Sequence, residues 1–287
     1  MKTKDHSIRS SCRYFGKSRQ GYYERMDYNF KHSRYRQMVL DQVMQIRKEL
    51  PKCGARKLHY LLQQSGIKIG RDKLFEYLRE ANLLIKRKRK YVRTTHSNHA
   101  MFVYDNLIKD VEISHAEEVF VSDITYIRTG SGFCYLAIVG DAYSKKIMGK
   151  FLSKDMKTTL VLKALVGALQ NKQYNRSLIH HSDRGVQYQD RSYINALKLS
   201  DTLISMSGKG KAWENPVAER IMGILKQEFG LEQTFKTYKD VQDAVDVAIK
   251  KYNTMRPHSS CGYLTPQQAH EKGQGLKNLW KKKLSTY

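Results

Sequence analysis

The sequence has 287 residues, and its 52 lysine and arginine side chains against 27 aspartate and glutamate side chains give a formal net charge of +25. This length fits one large domain or two ordinary ones, and a charge so far above what solubility requires indicates a polyanionic partner. Scattered cysteines speak against a zinc site, and no apolar run reaches the roughly 20 residues of a membrane span, so we expect a soluble cytoplasmic protein without a membrane partner.

The positive charge is concentrated toward the N-terminus. Residues 1–100 carry 25 basic and 8 acidic side chains, whereas the other 187 residues carry 27 and 19. We therefore predict a basic, all-α DNA-binding region over residues 1–100. Within it, residues 31–49 have apolar side chains near helical spacing and are predicted to form a helix.

The stretch GARKLHYLLQQSGIKIGRDKLFEYLREANLL, residues 54–84, predicts two short helices around a glycine-bounded turn. This fits a helix-turn-helix whose second helix enters a groove of DNA, although any small helical hairpin would show a similar pattern. A run of five basic residues follows at once, and we interpret it as phosphate contacts rather than as a solvated face. The DNA contacts predicted here are Arg56, Lys57, Arg71, Lys73, Lys86, Arg87, Lys88, Arg89 and Lys90.

The pattern changes near residue 118. Three β-branched and aromatic runs with a tight glycine turn predict an antiparallel meander, followed by a helix, a strand, a helix, a strand and a further helix. This order predicts an α/β core over residues 101–275, with a mixed sheet flanked by helices, ahead of a basic C-terminal tail at residues 276–287. A Thr-x-x-Asp pattern at Thr237 and Asp240 predicts the capped start of a long helix.

Three carboxylates of this core stand at positions that need an explanation. Asp123 lies in the middle of an apolar strand, where an unpaired carboxylate is costly. Asp183 follows a short strand, at the sheet edge where α/β proteins gather their ligands. Glu219 lies on a helix predicted to start near Pro216, on one face with Lys226. Each position also has an ordinary alternative: a solvated strand face, a turn residue and an exposed Glu/Lys pair.

Taken together, the three carboxylates predict a divalent metal site. Two hard cations, Mg²⁺ or Mn²⁺, need several carboxylate oxygens that converge on one spot. A strand centre, a neighbouring strand end and a helix can supply that convergence. One ion would activate a water or a 3′-hydroxyl as nucleophile, and the other would stabilise the leaving oxygen. A polycationic chain with one acidic cluster therefore predicts metal-dependent chemistry on nucleic acid.

At these residues the sequence resembles the OrfB-type transposases of bacterial insertion sequences in the IS-three group, which share the ribonuclease-H-like core of retroviral integrases. The resemblance covers most of the chain, and its motifs occur in the family's order. They are FVSDITYI, HHSDRGVQY, SGKGKAWENPVAERIMGILKQE and YNTMRPHSSCGYLTPQQA, preceded by the helix-turn-helix pattern. The 35 residues that separate Asp183 from Glu219 match the family's gap between its second and third acidic residues.

The resemblance implies that Asp123, Asp183 and Glu219 are the catalytic DDE residues and the metal ligands. This chain departs from the family at Phe120, where tryptophan is common, and at Glu214, where an Asp-Asn-Ala run usually begins. Glu214 is therefore a rival or auxiliary ligand, although spacing and helix face favour Glu219. Further DNA contacts are predicted at Arg184, Lys226, Arg256 and His258. For the last two, capping of a helix end is an equal alternative.

The predicted function is that of a metal-dependent DNA transposase, which nicks DNA at the ends of its element and joins the exposed 3′-hydroxyl to another phosphodiester. The resemblance further implies a homo-oligomer that bridges two terminal repeats, a target duplex, and an OrfA partner or OrfA-fused form. The expected location is the bacterial cytoplasm, at the nucleoid. Two alternatives stay open: a ribonuclease-H-like nuclease or resolvase without strand transfer, and a DNA-binding regulator with an inactive core.

Overall fold

The computed structural model describes residues 7–85 and 103–276 of the chain. These residues divide into two compact units, the first made of residues 7–48 and 54–85 and the second of residues 49–53 and 103–276. The basic run at residues 86–90 and the predicted domain boundary near residue 100 lie outside the described residues, as does nearly all of the predicted C-terminal tail.

The described part of the first unit is built from helices. They are α1 (Ile8–Tyr14), α2 (Arg19–Glu49), α3 (Ala55–Gln64) and α4 (Arg71–Glu80). Helix α2 begins well before residue 31, where the sequence pattern predicted a helix to start. Its 31 residues bury only Val39 and Val43. The first half therefore has no apolar stripe by which a sequence pattern would reveal it.

Helices α3 and α4 are the two short helices predicted around a glycine-bounded turn. Leu58 and Leu62 of α3 and Leu74 and Leu78 of α4 are fully buried, as their helical spacing predicted. Gly66 has a φ of +81°, in the left-handed region that favours glycine, and it lets the chain turn directly after α3. The two helices thus form a small hairpin with a leucine core.

The second unit contains a mixed sheet. Its strands are β1 (Val119–Thr129), β2 (Gly132–Asp141), β3 (Ile147–Ser153), β4 (Leu178–Ser182), β5 (Thr202–Met206) and β6 (Thr234–Phe235). Strands β1, β2 and β3 form an antiparallel meander, β4 pairs parallel with β1, and β5 pairs parallel with β4. The order across the sheet is β3-β2-β1-β4-β5, and the short β6 pairs with the end of β1. Meander and mixed sheet both agree with the prediction from sequence.

Helices follow the strands in the predicted order. They are α5 (Thr158–Gln170), α6 (Val186–Gln189), α7 (Arg191–Leu199), α8 (Pro216–Glu228), α9 (Tyr238–Thr254) and α10 (Pro266–Lys272). Helix α8 begins at Pro216 as predicted, since proline suits the first helical position. Helix α9 begins after the predicted capping box of Thr237 and Asp240. Within the described ranges, no helix combines the length and the apolar character needed to cross a bilayer.

Both faces of the sheet are covered by helices. On one face, Phe120 of β1 belongs to a buried cluster with Leu160 of α5. On the other face, Ile127 of β1 belongs to a cluster with Leu225 of α8 and Val245 of α9. Successive side chains of a strand point to opposite faces, so β1 contributes to both cores. This arrangement confirms the predicted α/β class, with a mixed sheet between helical layers.

Helix α5 approaches the sheet most closely at Gly149 of β3. A Cβ atom at this position would collide with the carbonyl oxygen of Ala164 and would lie 2.6 Å from the backbone nitrogen of Ala168. Both contacts would be with helix backbone, which cannot rotate away as a side chain can. The packing of α5 on β3 therefore requires a residue without a side chain at position 149.

Three distant segments of the second unit meet at Glu117, directly before β1. Its buried carboxylate accepts hydrogen bonds from the backbone N–H groups of Gln173 and Tyr174, both at 2.8 Å. Its Oε1 lies 3.0 Å from Nε2 of His270, which is buried on α10. One carboxylate therefore connects the start of β1, the loop before β4 and helix α10.

All four cysteines of the chain are buried, and none forms a disulfide. Cys12 belongs to the first unit, and Cys53, Cys134 and Cys261 belong to the second. Burial raises the pKa of the Cys134 and Cys261 thiols, so little of either is present as thiolate at neutral pH.

Candidate active site

Strand β1 presents Asp123 toward helix α8. Val121, two residues earlier, packs in a buried cluster with Ala218 of α8. Because alternate side chains of a strand share a face, Asp123 lies on this face as well, as the sequence pattern predicted. Its side chain is half-buried, and its Oδ1 accepts a hydrogen bond from the N–H of Ile124 at 2.8 Å.

Asp183 directly follows β4, the parallel neighbour of β1. Its half-buried side chain accepts a hydrogen bond through Oδ1 from the N–H of Gly185 at 2.9 Å. A Cβ atom on Gly185 would lie only 3.0 Å from the same oxygen. This tight turn fixes Asp183 at the carboxyl end of a parallel strand, where open α/β sheets bind ligands.

Glu219 lies in the first turn of α8, and its side chain is exposed. Asn215 anchors the start of this helix, because its Nδ2 donates a hydrogen bond at 2.9 Å to the backbone carbonyl of Ser122, next to Asp123. Asn215 is buried, and its Oδ1 has no hydrogen-bond partner among the described residues. Sequence reasoning missed a role for Asn215; the available signal was an amide side chain at a helix N-cap, four residues before Glu219.

The negative charges of Asp183 and Glu219 act on Asp123. Burial, followed by the negative charge of Asp183, raises the pKa of Asp123 to about 7, and Glu219 adds to this effect. The hydrogen bond from Ile124 and the charge of Lys226 act in the opposite direction. Burial also raises the pKa of Asp183 and of Glu219. Like charges gathered at one place favour a bound cation.

A divalent cation fits this set of donors, because Mg²⁺ and Mn²⁺ prefer carboxylate oxygens. In the part of the chain that the structure describes, no three His, Cys, Asp or Glu side chains lie close enough together to hold one ion as they stand. Glu219 is the exposed member of the cluster, and its flexible side chain can bring the carboxylate toward Asp123 and Asp183.

Lys226 stands at the rim of the cluster, two turns after Glu219 on α8. Its ammonium lies 4.5 Å from the centroid of the Tyr126 ring, in a cation–π contact. Tyr126 in turn packs edge-on against Phe133, with ring centroids 5.5 Å apart. Burial lowers the pKa of Lys226, and the charge of Asp123 opposes that effect. An ammonium held here can supply positive charge to a phosphate group next to the carboxylates.

Two buried histidines of β4 form hydrogen bonds to the neighbouring strands β1 and β5. Nε2 of His180 lies 2.7 Å from Oγ of Ser122 and 2.9 Å from the hydroxyl of Tyr193. Nδ1 of His181 lies 2.9 Å from Oγ of Ser205. Burial lowers the pKa of His180 to about 3 and that of His181 to about 4. Both rings are therefore neutral at physiological pH and hold strands in place rather than contacting phosphate.

Glu214, the alternative third ligand, already accepts hydrogen bonds from neighbouring loops. Its Oε2 accepts hydrogen bonds from the N–H of Gly208 at 2.7 Å and from Nδ2 of Asn106 at 2.9 Å. These two bonds lower the pKa of Glu214. Of the two glutamates, Glu219 is the one whose charge acts on Asp123.

The other basic residues of this unit that were predicted to contact DNA lie in different surroundings. Arg184 is half-buried, and its Nε donates to the carbonyl of Ser207 at 2.8 Å. Arg256 is buried and donates from Nε and Nη2 to both carboxylate oxygens of Glu228, each at 2.7 Å. His258 is buried as well. These placements count against a DNA contact for Arg256 and His258, because protein encloses both side chains and Arg256 is already paired.

In the first unit, the predicted DNA contacts differ in exposure. Arg56 and Arg71 are exposed, whereas Lys57 and Lys73 are half-buried. The ammonium of Lys73 lies 3.0 Å from each carboxylate oxygen of Glu76, within the same helix. The two arginines are therefore more exposed than the two lysines.

The integrase core domain family matches the chain at residues 114–212 and again at residues 200–266. Together these matches span the sheet and the helix that carry Asp123, Asp183 and Glu219. The residues that build the carboxylate cluster thus lie inside the part of the chain that resembles an integrase core.

Proteins of bacterial insertion sequences are similar to the chain over most of its length. An uncharacterised 31 kDa protein of insertion element IS600 from Shigella sonnei is 35% identical over 266 residues, with 91% of this chain and 97% of that protein covered. Transposase InsF of insertion sequence IS3A from Escherichia coli is 31% identical over 274 residues, with 93% and 95% covered. The transposase of insertion sequence element IS629 from Shigella sonnei is 30% identical over 218 residues, with 76% and 73% covered.

Solved structures of viral integrases are also similar, at lower sequence identity. The catalytic core domain of HTLV-2 integrase in complex with magnesium matches with a TM-score of 0.44 and 15% identity, covering 54% of this chain and 96% of that chain. A simian T-cell lymphotropic virus intasome matches with a TM-score of 0.47 and 17% identity, covering 82% of this chain and 77% of that chain.

Proposed function

The chain belongs to the transposases of IS3-type insertion sequences, and on that premise we propose that Asp123, Asp183 and Glu219 bind the divalent metal ions with which it cuts and joins DNA. The enzyme is a DNA transposase with an integrase core, a polynucleotidyl transferase. The observation that carries the proposal is geometric: Asp123 lies on β1, Asp183 follows β4, the parallel neighbour of β1, and the start of α8, which carries Glu219, is bonded to β1 through Asn215. The raised pKa of Asp123 supports it, because the charges of Asp183 and Glu219 contribute to that rise.

Two ions, Mg²⁺ or Mn²⁺, fit the proposed site. Bound metal would activate the attacking oxygen and stabilise the leaving oxygen of an in-line displacement. The protein contributes the ligands and their positions. Since metal ligands must be deprotonated, a pKa of about 7 for Asp123 means that a proton leaves this carboxyl group as metal binds at neutral pH.

Other residues prepare the site for a DNA strand. Asn215 fixes the start of α8 against β1, and so sets the distance between Glu219 and Asp123. Lys226 holds a positive charge at the rim, where it can orient a phosphate group. The half-buried Arg184 follows Asp183 and is a second candidate for such a contact.

We assign residues 1–100 to DNA binding, residues 101–275 to catalysis and residues 276–287 to a basic tail. The described residues of the first unit carry 16 basic and 6 acidic side chains, which supports contact with a phosphate backbone. Within this region, exposed Arg56 and Arg71 are stronger candidates for DNA contact than Lys57 and Lys73. The basic run at residues 86–90 stays a prediction from sequence.

The proposed partners follow from the reaction. Double-stranded DNA enters twice, as the terminal repeats of the element and as the target, and a homo-oligomer would hold two ends together. An OrfA partner or an OrfA-fused form would complete end recognition. The net charge of +25 supports association with the nucleoid in the cytoplasm.

The decisive experiment incubates the purified full chain, alone and with its OrfA-fused form, with Mg²⁺ or Mn²⁺ and a labelled duplex that carries the repeats flanking its own gene. We expect nicking at the repeat tip and joined products. Glu219→Gln should lower both by more than about 100-fold, because the loss of even an indirect partner of a metal ligand costs 10- to 100-fold.

Glu214→Gln is the matched control, since it removes a carboxylate of the same type that is bonded to Gly208 and Asn106 instead. Cleavage that survives Glu219→Gln but is lost with Glu214→Gln would reverse the ligand assignment. Nicking without joined products would indicate a nuclease, and binding without cleavage, even with the fused form, would indicate a regulator.

A further inference from the structure

Helix α4 presents a polar face on the side away from its leucine core. Leu74 and Leu78 point inward and are fully buried. The residues on the other side, together with Arg56 of α3, line an open cavity of about 660 Å³. They are Arg71, Asp72, Phe75, Glu76 and Arg79. As the first, second, fifth, sixth and ninth residues of α4, they share one helix face, which we call the reading face.

Helix α2 covers a different flank of α4. Nη1 of Arg36 lies 3.0 Å from Oε2 of Glu80, and its guanidinium lies 5.7 Å from the centroid of the Tyr77 ring. Lys73 contacts the same ring at 5.3 Å. Glu80 and Lys73 therefore lie on the flank of α4 that faces α2, and the reading face lies on another side of the helix.

The reading face is mixed in charge, and this mixture is unusual for a surface that meets DNA. Three guanidinium groups, those of Arg56, Arg71 and Arg79, suit a phosphate backbone. Asp72 and Glu76 stand among them and are exposed, although each carboxylate is repelled by phosphates. A partner that binds both the arginines and the carboxylates must offer hydrogen-bond donors opposite the carboxylates.

The major groove of a DNA duplex offers such donors at defined base pairs. The amino group N4 of cytosine is the donor that Asp and Glu accept there, and Arg pairs with O6 and N7 of guanine. We propose that Asp72 and Glu76 read cytosine amino groups and that Arg79 reads a guanine, so that the terminal repeats are selected by C·G pairs. This inference rests on the proposed DNA-binding role of the first unit.

The carboxylates are available for this contact. Asp72 Oδ1 accepts from Nε of Arg71 at 2.9 Å, and Glu76 accepts from Lys73, but both carboxylate side chains are exposed. Exposed ion pairs contribute little to stability. Each carboxylate can therefore leave its ion pair, or accept a second hydrogen bond from a base while the ion pair stays in place. The repulsion between these carboxylates and the DNA phosphates then contributes to specificity. At a DNA site without cytosine, no base donor offsets this repulsion, and the protein binds that site more weakly.

The test selects bound duplexes from a random pool with the full chain and sequences them. The wild-type protein should enrich a motif with cytosine at two positions on the strand that α4 contacts. Glu76→Gln should replace one of these cytosines by adenine, because Gln pairs with N6 and N7 of adenine. The preference at that position should shift by about 5- to 150-fold, and Asp72→Asn should shift the other position.

Glu80→Gln is the matched control, since it removes a carboxylate of the same helix that pairs with Arg36 on the flank facing α2. Its motif should equal that of the wild-type protein. The inference is overturned if the wild-type motif lacks cytosine, or if Glu76→Gln and Asp72→Asn both select the wild-type motif. If the wild-type chain retains DNA from the pool but enriches no motif, this inference alone fails. If it retains no DNA at all, the proposed DNA-binding role itself fails, and the two failures are therefore distinguishable.

Discussion

The side-chain amide of Asn215 links the two elements that carry Asp123 and Glu219. Its hydrogen bond to the carbonyl of Ser122 spans the gap between strand β1 and the first residue before α8. The amide is buried, so water cannot replace a lost donor without cost. Positions of metal ligands depend on such supporting contacts, because a displacement of about 1 Å can cost roughly 100-fold in rate.

We expect Asn215→Ala and Asn215→Asp to lower the single-turnover rate of DNA cleavage by about 10- to 100-fold, the usual cost of losing a partner that orients a ligand. Both variants lose the donor to Ser122, and the aspartate keeps the size of the side chain. The rate should recover in part at higher Mn²⁺ concentration, a response that simple loss of folded protein would not give. The measurement is the cleavage rate as a function of Mn²⁺ concentration.

Asn171→Ala is a suitable control, because Nδ2 of Asn171 also donates to a backbone carbonyl, that of Met148, at 2.9 Å. This variant should lose stability while its half-saturating Mn²⁺ concentration stays unchanged. An equal change in that concentration for Asn171→Ala, or no change for Asn215→Ala, would contradict the positioning role.

At the residue scale, sequence alone was enough to predict the three carboxylates as ligands, but not the contacts that hold them in place. Asp123, Asp183 and Glu219 stand in long motifs with fixed spacing, and residue type already limits what they can bind. The contact between Asn215 and Ser122 joins residues 93 positions apart, and no periodicity or motif encodes such a pair. The buried partners of a site therefore have to be read from the fold.

At the scale of elements, the packing of α5 on the sheet depends on Gly149. We expect Gly149→Ala to destabilise the second unit by about 1–3 kcal/mol or more, because the added methyl group would meet the backbone at Ala164 and Ala168. Urea unfolding at equilibrium measures this change. Gly167→Ala, within α5 itself, adds the same group where nothing lies within 4 Å.

Gly167→Ala should therefore be neutral or stabilising, by up to about 1 kcal/mol, since alanine is the better helix former. Similar destabilisation by both substitutions would show that loss of glycine, not the close approach of α5 to β3, is responsible. A neutral Gly149→Ala would mean that α5 can shift away from the sheet at little cost.

Sequence predicted elements well wherever a local signal marked an end or a face. Pro216 marked the start of α8, and the capping pattern of Thr237 and Asp240 marked that of α9. The first half of α2 carries no such signal, since it buries almost nothing of its own. The all-α prediction for this region holds here, but the start of the helix was placed too late because period-based prediction needs a buried stripe.

At the scale of the whole second unit, a hydrogen bond between Glu117 and His270 joins two residues that lie 153 positions apart in the chain. Burial acts to raise the pKa of Glu117, but the hydrogen bonds from His270, Gln173 and Tyr174 outweigh it and the pKa is lowered from its ordinary value of 4.5. A carboxyl group whose pKa is lower in the folded state stabilises the fold above its unfolded pKa. That stabilisation is lost as the pH falls through the folded value.

We expect Glu117→Gln to lower the free energy of unfolding by about 1–3 kcal/mol between pH 5 and pH 7, since it weakens a network of buried hydrogen bonds. Below the ordinary pKa of 4.5 the difference from the wild-type protein should shrink, because the carboxyl group of the unfolded wild-type chain then binds a proton and that of the folded protein follows at its lower pKa. Urea unfolding of both proteins at pH 7, 5, 4 and 3 measures the difference in their free energies of unfolding. A difference that stays constant down to pH 3 would contradict the assignment.

The burial of all four cysteines has a practical consequence for following this protein at work. Thiol reagents attack thiolate at the surface, so the native chain should react slowly at every natural cysteine. A cysteine introduced at an exposed position, for example by Gln63→Cys on α3, would then take up a fluorophore or cross-linker selectively. Single-molecule studies of end pairing can therefore start from the natural sequence, without first building a cysteine-free background.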